Sequence, residues 1–246
     1  MSDPFDGPRL KLARARRHIA DYRLAFNALA KSNIIEILPQ VGPEGDWYKV
    51  QLNKPMPPDM RLTAADTLYN FRSALDQAMC RSVALAGRNP KDTYFPHGKD
   101  RVAFEASLLR ACKKVPERVR DAVIGLEPYH GGAGYLLRVL HELNIEDKHS
   151  DLIGVGAALR KIAMLPGNGP KPAGGQVWRR GEHDFERAEP DAPIEGRMVV
   201  TMAVTFLDIE AIEGRSVTAV LNEIDDEATR AVDAIVAAAT ASASTA

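Results

Sequence analysis

The sequence predicts an α+β protein: a mainly helical bundle followed by a small antiparallel sheet that a C-terminal helix covers. Three observations lead there. Apolar residues recur at helical spacing over 9–38, 62–86, 134–149 and 217–239. They alternate at strand spacing over 46–53 and again beyond Asp151. Internal repeats are absent, so the 246 residues read as a single domain, with 9–151 mainly helical and 152–239 strands plus a final helix.

In chain order, 9–38 reads as a long helix with Leu12, Ile19 and Phe26 at seven-residue steps and Ala15, Tyr22 and Leu29 between them. Such a seam packs on another helix, in the same chain or in a second copy, so a homodimer through helices is an expected assembly. Pro39 and the Gly42, Pro43, Gly45 cluster stop the helix, and Tyr48, Val50 and Leu52 alternate as in a strand. A second helix runs from Leu62 to about Ala86, with Thr63 or Asp66 near its start, Gly87 as its stop, and Leu68, Leu75 and Met79 as its core stripe. Arg72 sits on that stripe, and Asp76 follows four residues later in ion-pairing register. A loop over 88–100 precedes two short helices, 101–113 and 116–124, the second opened by Pro116. The PYHGGAG segment, 128–134, matches no phosphate-loop pattern and reads as a plain turn.

Strands are expected at 152–164, 176–187 and 197–209, with the proline- and glycine-rich 165–175 as a loop or disordered excursion. Val217, Val220, Leu221, Ile224, Ala228, Ala231, Val232 and Ile235 form one side of a last helix over 217–239, and 240–246 reads as a disordered tail.

Composition narrows the classes of function. A formal net charge of −1 marks no constitutive nucleic-acid or membrane binder. The basic runs at 9–23 and 110–120 read as solvated helix faces. Cys80 and Cys112, with no metal-site spacing around them, suit a reducing cytoplasm. No apolar run of membrane-spanning length occurs, so a cytoplasmic protein without membrane contact is expected.

The unusual stretch is 135–151, YLLRVLHELNIEDKHSD. On a helix, Leu136, Val139, Leu140 and Leu143 fill one arc, and Asp147 falls inside it, where a carboxylate needs a cation from another element, such as Arg72, or backbone N–H groups of the following turn. His141, Asn144 and Lys148 share one polar edge, and Arg138, Glu142 and His149 share another. A metal site built from His141, Glu142, Asp147 and His149 fails on spacing. The two histidines lie about 12 Å apart along a helix, and Ile145 occupies the place where HExxH needs its second histidine. His97 or His183 would have to join from elsewhere. No GxSxG elbow or paired Cys/His supports nucleophilic catalysis, and no cofactor is implied.

Acid–base chemistry on a phosphodiester suits the residues better. His149 would move the proton, Lys148 would hold the phosphate, Asn144 would orient it, and Arg72 would add a clamp. His141, Glu142, Asp76 and Asp147 would support these groups. The alternative is a non-catalytic structural or interaction module whose polar cluster is a buried hydrogen-bond network.

The segments FRSALDQA (71–78), YFP (94–96), LEPY (126–129) and LHELNIEDKHS (140–150) together resemble a group of uncharacterised bacterial and phage-encoded proteins over roughly 60–155. More distantly, the chain is similar to HEPN-type helical domains, many of them metal-independent ribonucleases that work as dimers. Asn144 and His149 match that pattern's polar residue and histidine, while Leu143 stands where it has arginine, a place Lys148 or Arg72 would have to fill. The resemblance implies RNA or a nucleotide as partner.

Overall fold

The computed structural model describes residues 3–32, 34–42, 45–52, 56–149, 155–165, 177–179, 184–187, 197–206 and 210–243. Its core is helical. The helices are α1 (Asp6–Ala30), α2 (Pro58–Leu85), α3 (Arg101–Ala111), α4 (Glu117–Leu126), α5 (Tyr135–His149) and α6 (Val217–Ala243).

Helix α2 lies at the centre, in contact with α1, α5 and α6. Leu68, Phe71, Leu75, Met79 and Val83 are fully buried along it, and Ala64, Ala74 and Ala78 let neighbouring backbones approach. Three of its buried polar side chains bond to their own helix. Thr67 Oγ1 donates to the Thr63 carbonyl and Ser82 Oγ to that of Met79, while Asn70 Nδ2 donates to that of Asp66. The helix starts one turn before the expected Leu62, because Pro58 suits a first turn whose N–H would go unpaired anyway.

The α1 seam is filled from within the chain. Leu12, Ala15, Ile19, Tyr22 and Leu29 are buried against α2 and α6, and Arg16 and Arg23 reach Asp225 and Asn222 of α6. The expected extension of this helix to residue 38 does not form. Its stripe ends at Leu29, and the β-branched run from Ile34 instead enters strand β1 (Ile35–Gly42). β1 pairs antiparallel with β2 (Gly45–Leu52), placing Pro39 opposite Tyr48. That proline is tolerated because β1 ends the strand order and owes no N–H on its outer side.

The later strands are β3 (Val155–Leu165), β4 (Val177–Arg179), β5 (Asp184–Arg187) and β6 (Arg197–Phe206). They join two antiparallel ladders, ordered β1-β2-β5-β4 and β3-β6, with a register shift between Leu159 and Lys161. Residues 165–175 were expected as a loop, and of these 166–175 lie outside the described residues.

The expectation that the last helix covers a sheet is corrected. α6 lies mainly on α2 and α4, with lesser contacts to α1 and α5, and only a minor one to β6. Its stripe of Val217, Val220, Leu221, Ile224, Val232 and Ile235 is fully buried. At about 1.5–3 kcal/mol for each large aliphatic side chain buried, this face is a main contributor to bundle stability. The helix also continues to Ala243 through part of the expected tail, with Thr240 Oγ1 donating to the Val236 carbonyl.

Candidate functional site

The geometry starts at the Arg72–Asp76 pair on α2. Arg72 Nε and Nη2 donate to the two Asp76 oxygens at 3.2 and 2.9 Å, forming a planar two-point contact. The same pair grips the chain at Phe95. Arg72 Nη2 donates to the Phe95 carbonyl at 2.8 Å, and the Phe95 N–H donates to Asp76 Oδ1 at 2.9 Å. Phe95 itself is fully buried. Three residues on, Gly98 N donates to the Pro128 carbonyl, and a Cβ at Gly98 would lie 2.1 Å from the Phe104 nitrogen. Only glycine fits there, so the segment between is held at both ends and His97 is fixed in place.

Helix α5 supplies the facing wall. Glu127 sits in the left-handed region at φ 50°, and its carboxylate accepts from Ala133 N and from the Tyr129 hydroxyl. The expected plain turn at 128–134 is thus held by an internal carboxylate. Gly134 brings the start of α5 against the Leu126 carbonyl, where a Cβ would lie at 2.2 Å. Arg215, itself paired with Glu223, donates to the Tyr135 hydroxyl. Leu136, Leu137, Val139, Leu140 and Leu143 then bury the apolar arc.

Between the 94–99 segment, α3 and α5 lies a cleft of about 650 Å³. Tyr94, His97, Lys99, Arg110, Arg138 and His141 line it, with Glu142 its sole acidic group among the described residues. The His97 and His141 rings stack across it, centroids 3.3 Å apart and planes 29° from parallel. Burial holds His97 far below its ordinary value, at about 2, and His141, Arg72 and Arg138 push it the same way. His97 is therefore a neutral ring, with one nitrogen donating and the other accepting. Arg138 Nη2 pairs with Glu142 at 2.6 Å, while its buried Nε makes no hydrogen bond among the described residues. Arg72 Nη1 is in the same condition.

Of the residues singled out from sequence, His141 and Glu142 line the cleft, and Arg72 and Asp76 build the clamp behind it. Asn144 is buried at 5% exposure and does not line the cleft. The side chains of Asp147, Lys148 and His149 lie outside the described residues. The cleft lies against the 94–99 segment, α3 and α5. His97, weighed from sequence only as a remote metal ligand, is central, and Lys99 and Arg110 were missed as site residues. The signal available was a His-Gly-Lys run directly after YFP, in a loop with little reason otherwise to hold an aromatic pair.

Burial raises the Cys112 thiol to about 12, and burial with nearby Asp76 raises Cys80, so neither is an activated nucleophile. Among the described residues no group of three or more His, Cys, Asp or Glu is placed to hold a metal ion, and no helix is long and apolar enough to cross a membrane. No protein-family model, curated protein or solved structure matches the chain.

Proposed function

We propose that this α+β chain binds RNA or a nucleotide through phosphate in the cleft, and that it cleaves a phosphodiester by metal-independent acid–base chemistry, as HEPN-like ribonucleases do. The observation that carries the reading is the stacked His97–His141 pair inside a cleft that also gathers Lys99, Arg110 and Arg138. Cations and neutral imidazole N–H groups are the donors a phosphate accepts, and they come here from three separate elements.

In this reading His141 takes a proton from the attacking hydroxyl and returns one to the leaving oxygen. His97, held neutral, donates a hydrogen bond and fixes the His141 ring by stacking. Arg138 and Lys99 hold the phosphate oxygens, and Glu142 orients Arg138. Position 148 falls within about 20° of position 141 around the helix at 100° per residue, so Lys148 and His149 are proposed as contacts to the next stretch of ligand on that polar edge. Asn144 supports that edge from its buried side. The setting suited to such a protein is the bacterial cytoplasm, as a homodimer if the HEPN-type arrangement is followed fully.

A second reading has its own observation. The Arg72–Asp76 pair captures both backbone groups of Phe95, which is what a purely structural network does. Incubating labelled single-stranded RNA with metal-free protein in EDTA separates the two. The proposal expects cleavage that His141→Ala abolishes while the melting temperature holds. Intact RNA with wild-type protein, or cleavage that survives in His141→Ala, removes the catalytic reading.

A further inference from the structure

We infer that the cleft binds the dianionic phosphomonoester end of an RNA or nucleotide more tightly than the internal phosphodiester whose cleavage is proposed above, so that a terminal phosphate competes with the scissile one. This rests on the phosphate-binding reading above and adds a ligand class to it.

The argument is one of charge and donor count. Among the described residues, three that line the cleft are cationic, Lys99, Arg110 and Arg138, and one is anionic, Glu142, which leaves a formal surplus of two positive charges before the histidines are counted. An internal phosphodiester brings a single charge. A phosphomonoester brings about −1.5 to −2 and three strong acceptor oxygens, which matches both the charge and the convergence of donors from three directions. Glu142 offsets Arg138, with which it pairs through Nη2, and is already subtracted in that surplus.

The donors are also graded in depth. Lys99 and Arg110 are exposed at the mouth, whereas the Arg138 side chain is 18% exposed and keeps a buried Nε without a hydrogen bond among the described residues. A terminal group can enter such a cleft end-on, with its chain leaving past Lys99 and Arg110. An internal diester must instead thread both flanking nucleotides through it. The volume of about 650 Å³ lies within the range of small-molecule sites, large enough for a phosphate and its first nucleoside.

The test uses the full chain in EDTA at fixed ionic strength, with one single-stranded RNA oligomer labelled internally and prepared with 5′-phosphate, with 3′-phosphate and with hydroxyl at both ends. Binding is read by fluorescence anisotropy, and inorganic phosphate and sulfate serve as competitors. One phosphorylated end should bind about tenfold more tightly than the hydroxyl form, a gap of about 1.4 kcal/mol, and inorganic phosphate should compete better than sulfate. Lys99→Ala and Arg110→Ala, both exposed positions that leave the fold alone, should shrink that preference to about twofold or less. Equal binding of all three oligomers overturns the terminal-phosphate inference and leaves the RNA reading standing. Failure of all three oligomers and of a nucleoside monophosphate to bind removes both. A preference that survives in the two variants places the site elsewhere and also overturns it.

Discussion

At the scale of single residues, His97 couples the site to pH. Its folded pKa lies below its ordinary value of 6.5, so at acidic pH the unfolded chain binds a proton that the folded chain refuses. The groups pressing on it are His141 and Arg138 of α5 and Arg72 of α2. Its contribution to stability is full above about pH 6.5 and is lost as pH falls below that value, at up to about 1.4 kcal/mol per unit, less whatever solvent relieves at its exposed edge. Urea titrations at pH 7 and pH 5 should therefore show a steeper loss in the wild type than in His97→Gln, which carries no titrating ring. Parallel losses would mean that His97 titrates normally. Tyr22 offers a second check. Its ring is 1% exposed, and its hydroxyl is buried with no hydrogen bond among the described residues. Tyr22→Phe removes a desolvated polar group at little cost in shape, so stability should stay level or rise by about 1 kcal/mol. A clear fall in the urea midpoint would show that the hydroxyl has a partner.

At the scale of elements, the clamp between α2 and the 94–99 segment decides whether the cleft exists. Asp76→Ala leaves the Arg72 guanidinium, 9% exposed, without its counter-charge and releases the Phe95 N–H. A loss of about 2–4 kcal/mol is expected, whereas Arg72→Met, which removes the buried charge itself, should cost less. Equal losses in denaturant titrations would assign the stability to packing alone. The sequence made this pair legible, because i, i+4 spacing on a buried stripe leaves few alternatives for an arginine. It did not make the partner legible, since a backbone carbonyl and N–H in a loop carry no side-chain signature. The α1–β1 boundary failed for a related reason. Helical and strand patterns overlap around Ile34, and only pairing with β2 decides between them. Likewise α6 shows an apolar stripe in sequence, but the stripe does not say whether strands or helices will cover it. The cleft itself was half-readable: α5 announced its polar edges, while the facing His97 is placed by Gly98 and Phe95, contacts that no spacing rule records.

At the scale of the whole molecule, the formal charge of −1 hides a local concentration of cations, which is why composition argued against a nucleic-acid binder while the cleft argues for phosphate. With Lys99, Arg110 and Arg138 as the phosphate contacts, log K for single-stranded RNA should fall against log salt with a slope of about −2. A slope near zero would deny that binding is electrostatic. The helical core explains how so polar a cleft is tolerated: α2 and α6 bury their apolar stripes away from it, leaving α3, α5 and the 94–99 segment to carry the charge. The most direct measurement of the central claim is the imidazole spectrum of the six histidines, recorded by NMR on metal-free protein while a nucleoside monophosphate is added. Phosphate binding in the cleft predicts saturable shifts of His97 and His141, with His18 and His130 unmoved. Shifts confined to other histidines, or no shift at saturating ligand, would contradict it.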